Sequence, residues 1–147
     1  IFNSPIFILK KELLKIPIFG WYLKKIKSIS INRNKIKKEN LDFYEKIKIS
    51  YKIMDRPIII FPQATRVDPE DRSDFKKGVS KIYDLLKLKC QPVAINSGTV
   101  WPKSGPLIPN KTLTVSILEP INPDLESKEF LHLLQKKIYK ELDSLNS

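Results

Sequence analysis

The sequence predicts an α/β fold: a single layered domain over residues 1–147, with a central, mostly parallel or mixed sheet flanked by helices. Short apolar runs typical of strands alternate along the chain with longer segments whose apolar residues recur every three or four positions, which is typical of helices. Apolar residues make up 41% and charged residues 29% of the chain, a globular composition. The sequence contains no internal repeat and no linker that would divide it.

Five runs have the character of strands. Three of them are short and apolar, 28–31 alternates serine with isoleucine, and the last alternates with β-branched residues. The third run, 57–60, follows the turn residues Asp55 and Arg56 and opens with Pro57. The predicted strands are 6–9, 28–31, 57–60, 92–95 and 112–118.

Helical periodicity appears between these runs. Val79, Ile82 and Leu86, for example, fall on one face of a helix. A shorter helix at 10–14 is expected to stop before Pro17, because a proline ring cannot continue a helix. Glycines and prolines make 96–110 an irregular loop. The predicted helices are 10–14, 41–54, 79–86 and 131–145.

The positive charge is concentrated near the start of the chain. The net charge is +11, of which residues 10–38 carry +9 through ten basic residues and one acid. Such a stretch favours anionic partners: lipid headgroups, acyl-carrier proteins, phosphorylated metabolites or nucleic acid. Nucleic acid is disfavoured, because the chain has no aromatic RNA-binding signature, zinc-ligand spacing or basic reading helix. No window of about 18 apolar residues predicts a membrane span.

The single cysteine and the single histidine are far apart in the sequence. The single cysteine, Cys90, excludes an internal disulfide and is expected to be a half-buried filler, which fits a cytosolic setting. The single histidine, His132, lies within the last predicted helix without potential ligands beside it in the sequence. We therefore expect no metal site.

The most informative segment is the hexapeptide FPQATR, residues 61–66, which follows the third predicted strand. Loops that rigid elements hold in place commonly carry binding residues. The guanidinium of Arg66 would lie just beyond the end of this strand, and its planar shape suits it to bind a phosphate or a carboxylate. The segment therefore predicts an anionic substrate.

Four segments, in order, resemble the 1-acyl-sn-glycerol-3-phosphate (lysophosphatidic acid) acyltransferases of bacterial type. KKELLKIPIFGW at 10–21 is similar to their KxELxxxPxxGW block, and SISINR at 28–33 to their second block. FPQATR is similar to their FPEGTR, with FKKG at 75–78 at the expected distance. QPVAINSG at 91–98, with Trp101 and Pro102, is similar to the fourth block. The fold implied is that of a glycerolipid acyltransferase.

The resemblance implies an enzyme of phospholipid biosynthesis. It would transfer a fatty acyl group from a thioester, acyl-CoA or acyl-carrier protein, to lysophosphatidic acid and give phosphatidic acid. It would need no other cofactor and would act at an anionic membrane, the cytoplasmic face of the inner membrane. The family's first block, NHxxxxD, supplies a histidine general base. This chain lacks that block.

We therefore expect an N-terminally truncated acyltransferase, anchored or peripheral, that is inactive as given. The alternative is a non-catalytic relative that binds lysophospholipid or an anionic membrane.

Four substrate-binding residues carry over from the family. Lys10, Arg33 and Arg66 match positions near the acceptor phosphate, and Gln63 is expected to contact the glycerol part. Gln63 replaces the usual glutamate and so loses its charge. Ala64 replaces the usual glycine, so the loop must either use an ordinary backbone conformation or carry strain.

Two further expectations concern packing. Gly78 is expected to let the start of a helix pack closely on the sheet. Phe19, Trp21 and Tyr22, with lysines on both sides, fit either a core cluster or a surface that docks on anionic lipid.

Overall fold

A computed structural model describes residues 4–31 and 38–146, with the side chains of all of these except 38–42 and 146. The chain forms two compact units, Ile1–Phe61 and Pro62–Ser147, which are described in turn. Parallel strands and intervening helices confirm the α/β class. A single domain over 1–147 stays a prediction.

The first unit is built on three parallel strands in the order β2-β1-β3. Leu9 of β1 pairs with Ser30 of β2, and Phe7 pairs with Ile59 of β3. Ile6 and Ile47 are fully buried and centre its core. Its elements are β1 (Ile6–Lys10), a 3₁₀ helix (Lys11–Lys15), α1 (Phe19–Lys25), β2 (Ile29–Ile31), α2 (Lys38–Met54) and β3 (Ile58–Ile59).

Helix α1 is an element that the periodicity did not predict. It begins two residues after Pro17 and carries the aromatic cluster. Gly20 lies in its first turn, where a Cβ atom would stand 2.2 Å from the carbonyl oxygen of Leu14. A glycine is therefore needed for this turn to pack against the 3₁₀ helix.

The Arg56 side chain connects the segment before β1 with the residue that follows α1. Its guanidinium donates to the carbonyl oxygens of Pro5 at 3.0 Å and Ile26 at 3.1 Å, and also to that of Ser4. Carbonyls beyond the end of a strand or a helix lack ladder partners, and a five-donor fork can satisfy several at once. The chain before β1 is thereby fixed to the turn after α1.

The second unit combines an antiparallel pair of strands with two packed helices. Ala94 of β4 pairs with Ser116 of β5, so the described strands of the chain form two sheets, one parallel and one antiparallel. Helix α5 packs on α3 and on β4. The elements are α3 (Gly78–Leu86), β4 (Val93–Ile95), α4 (Ser97–Val100), β5 (Val115–Ile117) and α5 (Ser127–Asn146).

Aromatic rings fill the core of the second unit. Tyr83 of α3 stacks on Phe130 of α5 with ring centroids 3.7 Å apart, and Phe75 meets Tyr139 edge-on at 5.0 Å. Buried Asn96 receives the N–H of Thr114 at 2.7 Å, which joins the end of β4 to the segment before β5. None of the helices within 4–31 and 38–146 combines the length and apolarity that a membrane crossing requires.

The expectation for Gly78 is wrong. This residue begins α3, but a Cβ atom placed on it would meet nothing within 4 Å. Close packing of the helix start therefore does not explain the glycine.

Candidate functional site

The FPQATR segment follows β3 as an irregular turn. The carbonyl oxygen of Pro62 accepts the backbone N–H of Lys76 at 3.0 Å, which joins the turn to the stretch before α3. The Arg66 side chain is exposed, whereas Gln63 is partly buried. The turn therefore offers a solvent-facing guanidinium beside an amide that is held by the protein.

The sequence left open whether Ala64 has an ordinary or a strained backbone conformation, and the conformation is strained. Its φ is +62°, in the left-handed region that glycine enters freely and an L-residue only at a cost of about 1–2 kcal/mol. The turn thus keeps a conformation suited to glycine although an alanine occupies the position. Strain of this kind persists where surrounding contacts hold the backbone in place.

The Gln63 side chain interacts with the hydroxyl of Tyr139, in helix α5 of the same unit. That hydroxyl has one proton and donates it to the carbonyl oxygen of Ser73 at 2.5 Å. Gln63 can therefore act on this hydroxyl only as a donor, through its amide nitrogen. Burial raises the pKa of Tyr139, and the Gln63 amide opposes that rise because a donor stabilises the phenolate.

Helix α5 also holds the segment that follows the turn. Gln135 accepts the N–H of Phe75 at 3.0 Å and donates to Asp74 at 3.1 Å. Arg72 donates to Asp143 at 3.1 Å, and its guanidinium lies 5.3 Å from the Tyr139 ring. One face of α5 therefore fixes 72–75 and reaches Gln63.

Sequence reasoning missed Tyr139. The only available signal was its place beside Ile138 in the apolar stripe of the last helix, and that spacing says nothing about which loop a tyrosine would meet.

The predicted substrate-binding residues are distributed between the units. Lys10 closes β1 in the unit Ile1–Phe61 and is exposed, whereas Gln63 and Arg66 share one turn of the unit Pro62–Ser147. Arg33 lies outside the described residues. A phosphate shared by Lys10, Arg33 and Arg66 stays a prediction.

The remaining reactive groups are separate from this turn in sequence. Burial raises the pKa of the Cys90 thiol to about 11, so it stays protonated and unreactive near neutral pH. His132 is exposed on α5. In the described part of the chain, no three histidine, cysteine, aspartate or glutamate side chains are grouped so that they could hold a metal ion.

Comparison with known proteins gives consistent matches. The family model for acyltransferases covers residues 2–96. A 1-acyl-sn-glycerol-3-phosphate acyltransferase of Pseudomonas aeruginosa is 33% identical over 100 residues, which are 67% of this chain and 38% of that protein.

The crystal structure of the 1-acyl-sn-glycerophosphate (LPA) acyltransferase PlsC from Thermotoga maritima is similar in fold, with a TM-score of 0.78 at 23% identity. The match covers 99% of this chain and 58% of that one, so the chain spans little more than half of the length of the solved protein. Since the family model matches well over half of the sequence, the chain belongs to the acyltransferase family.

Proposed function

We propose that this chain is the acceptor-binding part of a glycerolipid acyltransferase that acts on 1-acylglycerol-3-phosphate. The main supporting observation is the FPQATR turn, which presents an exposed Arg66 and a partly buried Gln63 that interacts with the Tyr139 hydroxyl. The names of the relatives support the same acceptor. A guanidinium can take two phosphate oxygens in parallel, and the Gln63 carbonyl oxygen can accept from a glycerol hydroxyl.

In the proposed reaction, a glycerol hydroxyl attacks the carbonyl of an acyl thioester, acyl-CoA or acyl-carrier protein, and a thiol leaves. The attack requires a general base for the hydroxyl proton. The only histidine of the chain is the exposed His132, which does not belong to an NHxxxxD block. We therefore propose that the 147 residues bind lysophosphatidic acid without turning it over.

Calorimetric titration of the chain with lysophosphatidic acid below its micellar concentration tests the acceptor assignment. Arg66→Ala should weaken binding about tenfold or more, because a charge-assisted bidentate contact is lost. Lys140→Ala, which removes an exposed cation of α5, is the matched control and should bind as the parent does. Equal binding by the Arg66→Ala and parent chains would refute the phosphate role.

Catalysis is tested separately with a radiolabelled acyl thioester. Phosphatidic acid formed by the 147-residue chain would show that a base is present after all. The alternative function, binding of lysophospholipid without catalysis, rests on Gln63 in place of glutamate and on the missing histidine block. An Asn-His-x₄-Asp sequence encoded upstream of Ile1 would favour the enzyme, and an upstream sequence without it would favour the binder.

We further propose that α1 docks on an anionic bilayer. Five large apolar side chains within 16–22 are exposed, including Ile18 at 84% and Trp21 at 64%. We call these the α1 surface: Ile16, Ile18, Phe19, Trp21 and Tyr22.

Charge supports this partner. Exposed Lys15, Lys24 and Lys25 flank the α1 surface, and the Lys25 ammonium lies 5.0 Å from the Trp21 ring centroid. Aromatic side chains favour the headgroup level of a bilayer, and nearby lysines add about 1 kcal/mol each on anionic lipid. The cytoplasmic leaflet, which carries such lipid, is the proposed location.

Vesicle sedimentation tests this partner. The chain should bind phosphatidylglycerol-containing vesicles, bind phosphatidylcholine vesicles much less, and lose binding as salt rises. Trp21→Ser should reduce binding, whereas Trp101→Ser, which replaces a similarly exposed tryptophan at 59%, should not. Equal losses in the two variants would argue against the α1 surface.

A further inference from the structure

The backbone turns sharply at Ile18 and holds an isoleucine out in solvent. Ile18 has a φ of +63° and a ψ of −56°, and the N–H of Phe19 donates to the carbonyl oxygen of Pro17 at 2.6 Å. This is the rare, strained form of the γ-turn, and a β-branched residue suits it poorly. Because the Ile18 side chain is 84% exposed, burial in the unit does not offset the strain.

Contacts on both sides keep this turn in place. The N–H of Gly20 donates to the carbonyl oxygen of Ile16 at 2.7 Å, which closes the loop around Ile18. Gly20 also lies so close to Leu14 that a Cβ atom on it would be 2.2 Å from the Leu14 carbonyl oxygen. Strained residues persist where the surrounding structure over-determines them, and they concentrate where proteins bind. A fixed, strained and exposed apolar side chain therefore indicates a surface with an apolar partner.

The start of α1 is also suited to a medium without water. The first N–H groups of a helix lack partners within it, and unpaired backbone groups are costly in hydrocarbon. Here the N–H groups of Phe19 and Gly20 both donate within the turn, and Pro17 has no N–H. These positions therefore bring no unpaired backbone donor that would oppose entry into lipid.

Helix α1 has a buried and an exposed face. Gly20 and Leu23 are buried. Trp21 and Lys25 are four positions apart on the other face, where the Lys25 ammonium lies 5.0 Å from the Trp21 ring centroid. Ile18 lies about one turn before Trp21. Along the exposed face, the side chains therefore change from aliphatic to aromatic to cationic.

This order matches the layers of a bilayer. From Ile18 to Lys25 the chain rises about 10 Å along the helix axis. That distance exceeds the headgroup layer of roughly 5–8 Å on each side of the hydrocarbon. Aromatic rings favour the headgroup level, and lysines are attracted to anionic phosphates. Lys15, near Ile18 in the sequence, can keep its ammonium at the headgroups through its flexible stem.

We infer that α1 enters an anionic bilayer with its N-terminal end first, so that Ile18 reaches the hydrocarbon while Lys24 and Lys25 stay at the phosphates. The inference rests on the proposed docking of α1 and adds its orientation and depth. An inserted isoleucine also requires gaps between headgroups, so loosely packed bilayers of unsaturated lipid are the preferred partner.

Depth-dependent fluorescence quenching of the 147-residue chain on phosphatidylglycerol-containing vesicles tests the orientation. With Cys90→Ala removing the native thiol, Ile18→Cys and Lys25→Cys each accept one environment-sensitive fluorophore. A spin label deep in the acyl chains should quench the fluorophore at 18 more strongly than that at 25, and a headgroup spin label should give the opposite order. Equal depths, or a deeper position 25, would overturn the inference.

Vesicle sedimentation tests the contribution of Ile18. Ile18→Ser should weaken binding about fivefold or more, because an isoleucine side chain no longer leaves water. Ile49→Ser replaces an isoleucine of α2 that is 53% exposed, and this matched control should bind as the parent does. Dioleoyl vesicles should bind the chain more tightly than dipalmitoyl vesicles of equal charge. Parent-like binding by Ile18→Ser, or no preference between the two lipids, would contradict insertion of Ile18.

Glycine variants separate the bilayer contact from folding. Ile18→Gly should bind vesicles as weakly as Ile18→Ser, yet unfold at a higher temperature, because glycine enters positive φ freely. Within α2, Ile49→Gly should unfold at a lower temperature than Ile49→Ser. The same order of stability at both positions would contradict the strained turn at Ile18.

Two kinds of failure can be told apart. A parent chain that does not bind anionic vesicles would refute the docking of α1, and the orientation with it. A parent chain that binds, while neither Ile18→Ser nor the quenching reveals a deep contact at 18, would refute the orientation alone.

Discussion

The amide of Gln63 interacts with the hydroxyl of Tyr139, which itself donates to the carbonyl oxygen of Ser73. These two interactions connect the FPQATR turn to the last helix. They also give a reason for glutamine at 63, because a carboxylate cannot donate to the phenolic oxygen.

Gln63→Glu is therefore expected to destabilise the protein by about 1–2 kcal/mol at pH 8, since the Tyr139 oxygen loses its donor and faces a negative charge. The charge should also raise the pKa of Tyr139 further. Urea unfolding and a spectroscopic titration of tyrosinate measure the two effects.

The pH dependence of Gln63→Glu identifies the cause. The folded-state pKa of the introduced carboxyl group should lie above its unfolded value of about 4.3, so the deficit should be present above that pH and shrink as protonation restores a donor. Gln91→Glu is the control, because Gln91 also donates, to the Leu118 carbonyl oxygen, but from an exposed position. A deficit independent of pH would contradict the role assigned to the Gln63 donor.

Ala64→Gly is expected to stabilise the chain by up to about 1 kcal/mol, because glycine adopts the φ of +62° without the cost that a Cβ atom adds. The gain is reduced by the larger entropy of glycine in the unfolded state. Denaturant unfolding measures it. The same substitution at Ala94, which is fully buried in β4, should destabilise. Similar losses at the two positions would show that Ala64 carries no strain.

The two helix-start glycines should respond oppositely to alanine. Gly20→Ala places a Cβ atom 2.2 Å from the Leu14 carbonyl oxygen and should cost about 1–3 kcal/mol through backbone displacement. Gly78→Ala meets no atom within 4 Å and should be neutral or stabilising by up to about 1 kcal/mol, because alanine favours helix. Thermal unfolding of both variants decides the matter, and a loss at Gly78 matching that at Gly20 would contradict the packing described.

Cys90 should make the protein less stable in alkali. Burial raises its pKa from 9.0 to about 11, so between these values the unfolded chain releases a proton that the folded chain retains. The free energy of unfolding should therefore fall as pH rises through this window, by about 1–2 kcal/mol from this thiol.

In Cys90→Ala, the free energy of unfolding should depend less on pH in this window. Any stability lost because the variant packs less well would appear equally at pH 7. Burial also raises the pKa of Tyr83 and the charge of Cys90 adds to that rise, so the variant removes both effects of the thiol. Parallel profiles above pH 9 would show that Cys90 titrates normally.

Much of the fold followed from local patterns. The spacing of apolar residues predicted β1, β2, α3, β4 and α5 close to their observed bounds, because periodicity reflects which face of an element is buried. Helix α1 escaped prediction, because its apolar residues are mostly exposed and so show no buried face. The short helix α4 escaped for another reason: Gly98 and nearby prolines predicted a loop there.

The sequence by itself determined the α/β class, the order of the strands and, through four segments in their expected order, the acyltransferase family. Only the tertiary structure decided that Gln63 lies near the Tyr139 hydroxyl, and that close packing requires glycine at position 20 but not at position 78. The reason is physical: periodicity and motif spacing report interactions between near neighbours, whereas these contacts join residues that only the folded backbone brings together.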